Sequence, residues 1–277
     1  MGKDTSVMGL DTFLTVVDLA AEKHSASREL LASFEGVDLD RRAISMAISS
    51  DDVFSKSVLR LANSPYYRRG REVTSVDYAV ALIGEWTIRA FALLDIFREY
   101  GALSSGAWNH SSIVAISAFH VSESRGADPS LSYAAGLIHD VGAFVLRAIN
   151  ADRYHDIEKI FAGGLTSESQ KEYLDSERSA FGIDHEELGS LILSRFGFPD
   201  QMVAAVRGHH LIEEANHPVT RSIIDGERIV HLSQLPFERW SDMHLFPLQY
   251  TISDTYSAVK FMTEEASLLF NEYEGSK

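Results

Sequence analysis

The amino-acid sequence predicts an all-α protein built from many short helices. Two observations support this prediction: apolar residues recur at helical spacing through almost the whole chain, and no segment alternates apolar and polar residues as a half-buried strand does. Capping and helix-breaking residues divide this pattern into many segments rather than a few long ones. We therefore expect a multi-helical array with short connections.

The N-terminal part of the sequence predicts five helices, of which the first three lie before Pro65. The first spans about 10–31, and Asp40 caps the second. The third spans about 53–62 and ends before Pro65, because proline disfavours the helical conformation in the residue that precedes it. Each segment carries its apolar residues on one stripe, as a helix packed against a core does.

A glycine separates the next two predicted helices. The run Thr74-Ser75-Val76-Asp77 is typical of a capping box that opens the fourth helix, and Gly84 ends that helix. The fifth spans about 86–100. The segment 101–106 is small and polar, so we place a subdomain boundary there.

The rest of the chain predicts helices of similar length, near 108–124, 130–149, 152–162, 167–180, 184–196, 199–208, 220–235 and 251–272. Asp184 stands where a helix cap is wanted, and Pro199 where a first turn tolerates proline. We expect an N-terminal helical subdomain over 1–105, a second helical subdomain over 106–235 and a C-terminal helical extension over 236–277.

Composition excludes several classes of protein. The formal net charge of −15 opposes binding to nucleic-acid phosphates, and the short run Arg68-Arg69-Gly70-Arg71 is interpreted as a solvated loop. The chain has no cysteine, which excludes disulfides and thiolate chemistry and fits a cytoplasmic protein. No apolar run is long enough to span a membrane, and no secretion signal is visible. Neither a phosphate-binding P-loop nor a serine-hydrolase elbow occurs.

The placement of histidines favours a metal site. The pair His139-Asp140 interrupts a strongly apolar helical segment, where an unpaired charge is costly to bury. Imidazole nitrogen and carboxylate oxygen are the ligands that Fe, Mn and Zn accept in proteins. The candidate metal ligands are His110, His139, Asp140, His185, His209 and His210. Spacing alone also allows the alternative that these histidines are hydrogen-bonded core residues.

Three stretches of the sequence resemble the HDOD family, a divergent branch of the HD superfamily found in bacteria. They are 57–67 with 74–84, 108–110 with 136–142, and 181–189 with 198–199 and 209–210. The first is similar to that family's "LRLANS…ITSIEEAI…LG" signature, and the other two are shared with the wider superfamily. Together they extend from about residue 40 to residue 235.

The resemblance implies an all-helical, HD-like array with an N-terminal helical subdomain and a role in bacterial signal transduction, often without demonstrated catalysis. In metal-dependent HD phosphohydrolases the ligands are an early His, the His-Asp pair and a late Asp, and the first three match His110 and His139-Asp140. The additional ligands of the related HD-GYP phosphodiesterases, which cleave cyclic dinucleotides, align with His185 and His209-His210.

The sequence departs from those enzymes at four places. The late Asp falls at Gln234, and the lysine that often follows the HD motif is Ala143. No Gly-Tyr-Pro segment follows His209-His210, and an upstream glutamate of some enzymes falls near Gly106. A neutral glutamine would balance a divalent ion less well than a carboxylate. These departures from the enzymes therefore argue against cleavage of cyclic dinucleotides.

The leading hypothesis from the sequence is a regulatory protein that acts as a protein- or ligand-binding module, with no catalytic residue assigned. The alternative is a metal-dependent phosphohydrolase acting on a nucleotide or phosphodiester, with Fe, Mn or Zn as cofactor. A third reading is a sensor that binds a nucleotide-like ligand without cleaving it. The expected partner is a signalling protein, and the apolar C-terminal extension is compatible with a homodimer.

Overall fold

The structure is all-helical. This computed structural model describes residues 13, 15, 30, 41–63, 67, 70–99, 103–161, 167–210, 217–233 and 260. The described residues form α-helices joined by turns, with no β-strand among them, so the predicted fold class is confirmed. Within the same residues, no helix has both the length and the apolar character needed to cross a bilayer.

Numbered in chain order, the described helices are α1 (Arg41–Ser49), α2 (Asp52–Asn63), α3 (Val76–Ile83), α4 (Glu85–Glu99), α5 (Ser105–Arg125), α6 (Pro129–Ile138), α7 (Val141–Ile149), α8 (Ala151–Phe161), α9 (Ser167–Phe181), α10 (His185–Arg195), α11 (Asp200–Arg207) and α12 (Pro218–Ser233). The predicted helices at 10–31 and 251–272 lie almost entirely outside the described residues. The C-terminal extension predicted over 236–277 does so as well.

Side-chain caps begin two of the helices that the sequence predicted. The Ser75 hydroxyl accepts a hydrogen bond from the backbone N–H of Tyr78 at 3.4 Å and caps α3. The cap is therefore Ser75, one residue after Thr74, where the predicted capping box begins. Ser75 has the extended backbone that a cap requires. Asp184 caps α10 as predicted, accepting from the N–H of Glu187 at 2.7 Å.

Asn63 closes the loop between α2 and α3. Its side-chain amide donates to the carbonyl oxygen of Val73, and its side-chain oxygen accepts from the N–H of Val73, both at 2.8 Å. Within this loop, the ring of Tyr67 packs edge-on against Tyr133 of α6, with ring centroids 5.6 Å apart. The N-terminal helices are thereby attached to the helix that leads into His139.

The helix predicted over 130–149 is in fact two helices. α6 ends at Ile138 and α7 begins at Val141, and His139 and Asp140 form the turn between them. Asp140 has φ −92° and ψ 15°, outside the α-helical region. Neither glycine nor proline marks this break, so hydrophobic periodicity predicts one continuous helix. His139 and Asp140 therefore lie between two helices rather than within one.

Helix α5 lies at the centre of the second half of the chain and packs against α6 and α12. Helix α10 packs against α7 and α11, and α6 also contacts α4 and α11. The buried apolar residues form one continuous cluster on both sides of the boundary predicted at 101–106, with the rings of Phe97 and Phe144 centred 6.4 Å apart. The helices that carry the functional residues therefore share one core.

Glycines allow backbone contact at the two helix pairs that bring these helices together. A Cβ atom at Gly142 of α7 would overlap the carbonyl of His185 and lie 2.8 Å from the backbone nitrogen of Gly189 in α10. A Cβ atom at Gly226 of α12 would lie 2.9 Å from the carbonyl oxygen of Val114 in α5. At both positions the neighbour is main chain, which cannot move aside as a side chain does.

Gly142→Ala is expected to destabilise the protein, because α7 and α10 must separate to admit the methyl group. Overpacking of this kind costs roughly 1–3 kcal/mol of the free energy of unfolding. Chemical unfolding followed by circular dichroism measures the loss. Gly106→Ala is the matched control: its Cβ meets only Ser104, and its helical position favours alanine over glycine. Equal stability of the two variants would contradict the close α7–α10 contact.

Candidate metal centre

All six of the predicted metal ligands converge on one place in the structure. His110 lies near the start of α5, His139 and Asp140 form the α6–α7 turn, His185 is the first residue of α10, and His209 and His210 follow α11. Their ligand atoms form two groups, each within 4.8 Å. Residues separated by as many as 100 positions in the chain thus meet at the ends of several helices.

The first sub-site consists of His110, His139 and Asp140, with Glu227 of α12 beside them. The Nε2 atoms of His110 and His139 are 3.2 Å apart. Oδ2 of Asp140 lies 3.5 Å from Nε2 of His110 and 3.3 Å from Nε2 of His139. Oε1 of Glu227 lies 3.0 Å and 2.6 Å from the same two nitrogens.

The second sub-site consists of Asp140, His185, His209 and His210. Nε2 of His185 lies 3.3 Å from Nε2 of His209 and 3.0 Å from Nε2 of His210. Oδ1 of Asp140 lies 3.8 Å from Nε2 of His185 and 3.6 Å from Nε2 of His209. The Nε2 atoms of three imidazole rings therefore lie together, and those of His185 and His209 lie near the same oxygen of Asp140.

Asp140 joins the two sub-sites, because each of its oxygens faces a different one. Oδ2 faces His110 and His139, whereas Oδ1 faces His185 and His209. A carboxyl group in this position can give one oxygen to each of two cations. If each sub-site held an ion, Asp140 would be a ligand to both.

Hydrogen bonds at the opposite ring nitrogen fix three of the imidazoles. Nδ1 of His139 donates to the carbonyl oxygen of Gly136 at 2.7 Å, and Nδ1 of His209 donates to that of Val206 at 2.8 Å. Nδ1 of His185 donates to Oε2 of Glu177 at 2.7 Å. With the proton fixed on Nδ1, the lone pair of Nε2 is available at the cluster, which is how metal-binding histidines are usually held.

The donor set fits divalent transition metals. Two nitrogen ligands about 2.0–2.1 Å from one ion, at the angles of octahedral or tetrahedral coordination, lie about 2.8–3.4 Å apart. The Nε2 separations of 3.0–3.3 Å within the sub-sites match that spacing. Asp140 and His110 keep 22 % and 30 % of their side-chain surface exposed, so one side of the cluster reaches solvent. Imidazole and carboxylate ligands of this kind suit Fe, Mn or Zn.

In the first sub-site, neighbouring groups of opposite charge raise the pKa values of the histidines and lower those of the carboxyl groups. Burial alone would lower the pKa of His139, but Asp140 and Glu227 raise it well above its usual value. The pKa of His110 is also raised, against its burial, chiefly by Glu227. Burial alone would raise the pKa of Asp140 and of Glu227, but the neighbouring histidines lower both well below their usual values.

In the second sub-site the pKa values of His185 and His210 shift in opposite directions. Burial lowers the pKa of His185, but Glu177 more than offsets it and raises the pKa to about 9. Burial, together with His209 and His185, lowers the pKa of His210 well below its usual value. Without metal, protons on His139 and His185 thus supply the positive charge that the buried carboxyl groups require.

Three acidic residues of the site were missed by the sequence reasoning: Glu177, Glu186 and Glu227. The late ligand was expected at Gln234, which lies outside the described residues, whereas α12 supplies Glu227 two turns earlier. Oε1 of Glu186 accepts from the backbone N–H of His210 at 2.7 Å. No sequence signal separated Glu227 from Asp225, the other acidic residue of α12, because the contact of Glu227 with His110 arises only when α12 packs against α5.

Comparison with known proteins places the chain in a family. The model of the HDOD domain matches residues 24–212, more than half of the chain. No curated protein matches the chain closely enough to support a comparison.

Solved structures share the fold at low sequence identity. A protein from Shewanella amazonensis SB2B, named provisionally as a phosphohydrolase, is 20% identical with a TM-score of 0.67, covering 93% of this chain and 97% of its own. A signal transduction protein from Marinobacter aquaeolei VT8, also provisionally named, is 14% identical with a TM-score of 0.64, covering 98% of this chain and 68% of its own. An HDOD domain protein of unknown function from Geobacter sulfurreducens is 21% identical with a TM-score of 0.52, covering 97% and 95%. At such identities the likeness shows the fold.

Metal affinity is expected to rise with pH, because a divalent ion must displace the protons on His139 and His185. In the metal-free protein the raised pKa of His185 contributes stability below the unfolded value of about 6.5 and loses it as pH rises through about 9. The difference in Tm between Mn²⁺-loaded and metal-free protein should therefore widen from pH 6.5 to pH 9. Thermal unfolding at several pH values measures it, and a difference that stays constant would contradict the assignment.

Proposed function

The chain belongs to the HDOD domain family, and from that premise we propose that it is a bacterial regulatory protein with a dinuclear metal centre that hydrolyses a phosphate ester. The observation that supports this proposal most directly is the position of Asp140, with one oxygen in each of two histidine sub-sites. A single structural ion would not require both sub-sites, and a set of merely hydrogen-bonded core histidines would not direct five Nε2 atoms inward.

Partial exposure of the cluster favours a reactive centre over a closed structural one. Structural metal sites enclose the ion completely, whereas catalytic sites keep a position open to solvent or substrate. His110, Asp140 and Glu227 keep 30 %, 22 % and 11 % of their side-chain surface exposed, whereas His139 and His185 are buried. A substrate would therefore approach from the edge formed by His110, Asp140 and Glu227.

Bound divalent ions would supply a water nucleophile at neutral pH and polarise the oxygens of a phosphoryl group. The chain's own residues hold the ligands in place: the carbonyls of Gly136 and Val206 orient His139 and His209. Asp140 fixes the spacing between the two sub-sites. Glu227, at the solvent edge, is placed to hold a proton or to add negative charge to the first sub-site. Glu227 of α12 thus offers the negative charge that a glutamine at position 234 does not carry.

A second candidate function is binding of a phosphate-bearing ligand without turnover, with a signalling protein reading the bound state. Ala143 favours this candidate, because it is buried and uncharged where related hydrolases often carry a lysine that contacts phosphate. Glycine at position 106 likewise brings no carboxyl group to the first sub-site. In this case the same residues bind the metals, and the ligand leaves intact.

Asp140→Asn tests the proposed function, because asparagine keeps the side-chain shape and removes the bridging charge. The wild-type protein, purified without an affinity metal column, should carry Fe, Mn or Zn by elemental analysis, and the variant should carry far less. Hydrolysis of bis(p-nitrophenyl) phosphate and of a nucleotide panel with added Mn²⁺ should fall by at least about 100-fold, the upper range for loss of a residue that supports a metal.

His155→Ala is the matched control, since His155 lies on α8 with 61 % of its side chain exposed and should change neither metal content nor turnover. Metal in the wild type without turnover of any substrate, but with raised Tm from an intact nucleotide, would favour the second candidate. A folded wild type that binds no metal under any condition would contradict both.

A further inference from the structure

Glu177 is a fully buried acidic residue on α9, a helix that contributes no ligand to either sub-site. Its Oε2 accepts two hydrogen bonds from His185: one from the ring Nδ1 at 2.7 Å and one from the backbone N–H at 2.8 Å. One carboxyl oxygen therefore fixes both the side chain and the first backbone unit of α10. Among the described histidine ligands held at Nδ1, His185 is held by a carboxyl group, whereas His139 and His209 are held by carbonyls.

The other oxygen of Glu177 connects to two tyrosines. Tyr154 of α8 donates from its hydroxyl group to Oε1 of Glu177 at 3.0 Å, and the hydroxyl groups of Tyr154 and Tyr173 are 2.9 Å apart. The ring of Tyr173 lies against His185 and His210, with centroid distances of 5.5 Å and 6.1 Å. The network thus runs from α8 through α9 to the second sub-site.

We propose that Glu177 is a positioning residue that sets the metal affinity of the second sub-site and couples it to the α8–α9 pair. The inference rests on the proposed metal centre and deepens it, because it separates the two sub-sites by their supports. A carboxyl group behind an imidazole holds the ring in one orientation and makes the opposite nitrogen a stronger donor. The first sub-site has no such contact with Glu177, so it should be insensitive to the change.

Coupling must be reciprocal. If the position of α8 and α9 sets the affinity of the second sub-site, then a metal ion bound there must stabilise α8 and α9 by the same free energy. Displacement of this helix pair by a binding partner would release Glu177 and weaken the second sub-site. The positions of α8 and α9 and the occupancy of the second sub-site are therefore coupled through Glu177.

Glu177→Gln is the test variant, because glutamine keeps the shape and still offers one oxygen to His185 while removing the charge. Calorimetric titration of the metal-free protein with Mn²⁺ should give two binding steps in the wild type. The variant should lose about 10- to 100-fold in affinity at one step and keep the other unchanged. His210→Ala and His110→Ala, each removing a ligand from one sub-site, identify which step is which.

Two further measurements do not depend on turnover. Two Mn²⁺ ions bridged by Asp140 give a spin-coupled electron paramagnetic resonance signal, which Glu177→Gln should replace by the signal of isolated Mn²⁺. Amide hydrogen exchange in α8 and α9 should slow when an ion binds to the second sub-site of the wild type. It should not slow in the variant. Glu158→Gln on α8, which removes a carboxyl group paired with Arg147, is the control and should behave as the wild type.

Tyr154→Phe keeps the inference testable if Glu177→Gln does not fold. It leaves the carboxyl group in place, removes the hydrogen bond to Oε1, and should weaken only the second step by a smaller factor. Unchanged affinities in both variants, or equal weakening of both steps, would overturn the inference while leaving the metal centre intact. A wild type without any Mn²⁺ binding would instead overturn the proposed function, and the inference with it.

Discussion

The contact of the partly exposed Asp140 carboxyl group with two sets of imidazoles is the interaction on which the centre of this protein depends. An isolated carboxylate in that position would be strongly destabilising, and the surrounding histidines compensate for it. Their mutual effect appears in the pKa values: that of Asp140 lies far below its usual range, and those of His139 and His185 lie above theirs. Removing positive charge from the cluster, as protons or as metal, would leave the carboxyl group uncompensated.

Helix packing is what brings these charges together. The α6–α7 break at His139 and Asp140 directs both side chains into the space bounded by α5, α10 and α12. Backbone contact at Gly142 sets how closely α10 approaches α7, and backbone contact at Gly226 sets how closely α12 approaches α5. A site whose ligands must lie within tenths of an ångström is thus built on main-chain contacts that have no freedom to adjust, which keeps it pre-organised.

The two sub-sites differ in what lies behind them. The first opens towards solvent through His110 and faces Glu227, a residue suited to chemistry at an edge. The second is supported by Glu177 and Glu186, two buried carboxyl groups. The first sub-site is thus open to solvent at His110, whereas the second is held by residues of the surrounding helices.

The sequence by itself determined the all-α class, most helix positions and the six candidate ligands that cluster in the structure, because helical periodicity and the chemistry of histidine and aspartate are local properties. The resemblance that rested on Asn63 and on His139-Asp140 also pointed to the family to which the chain belongs. Tertiary structure alone decided that helix 130–149 breaks at His139, that Asp140 serves two sub-sites, and that Glu227 supplies the acidic group sought at Gln234. These features depend on distances between residues far apart in the chain, which no local pattern records.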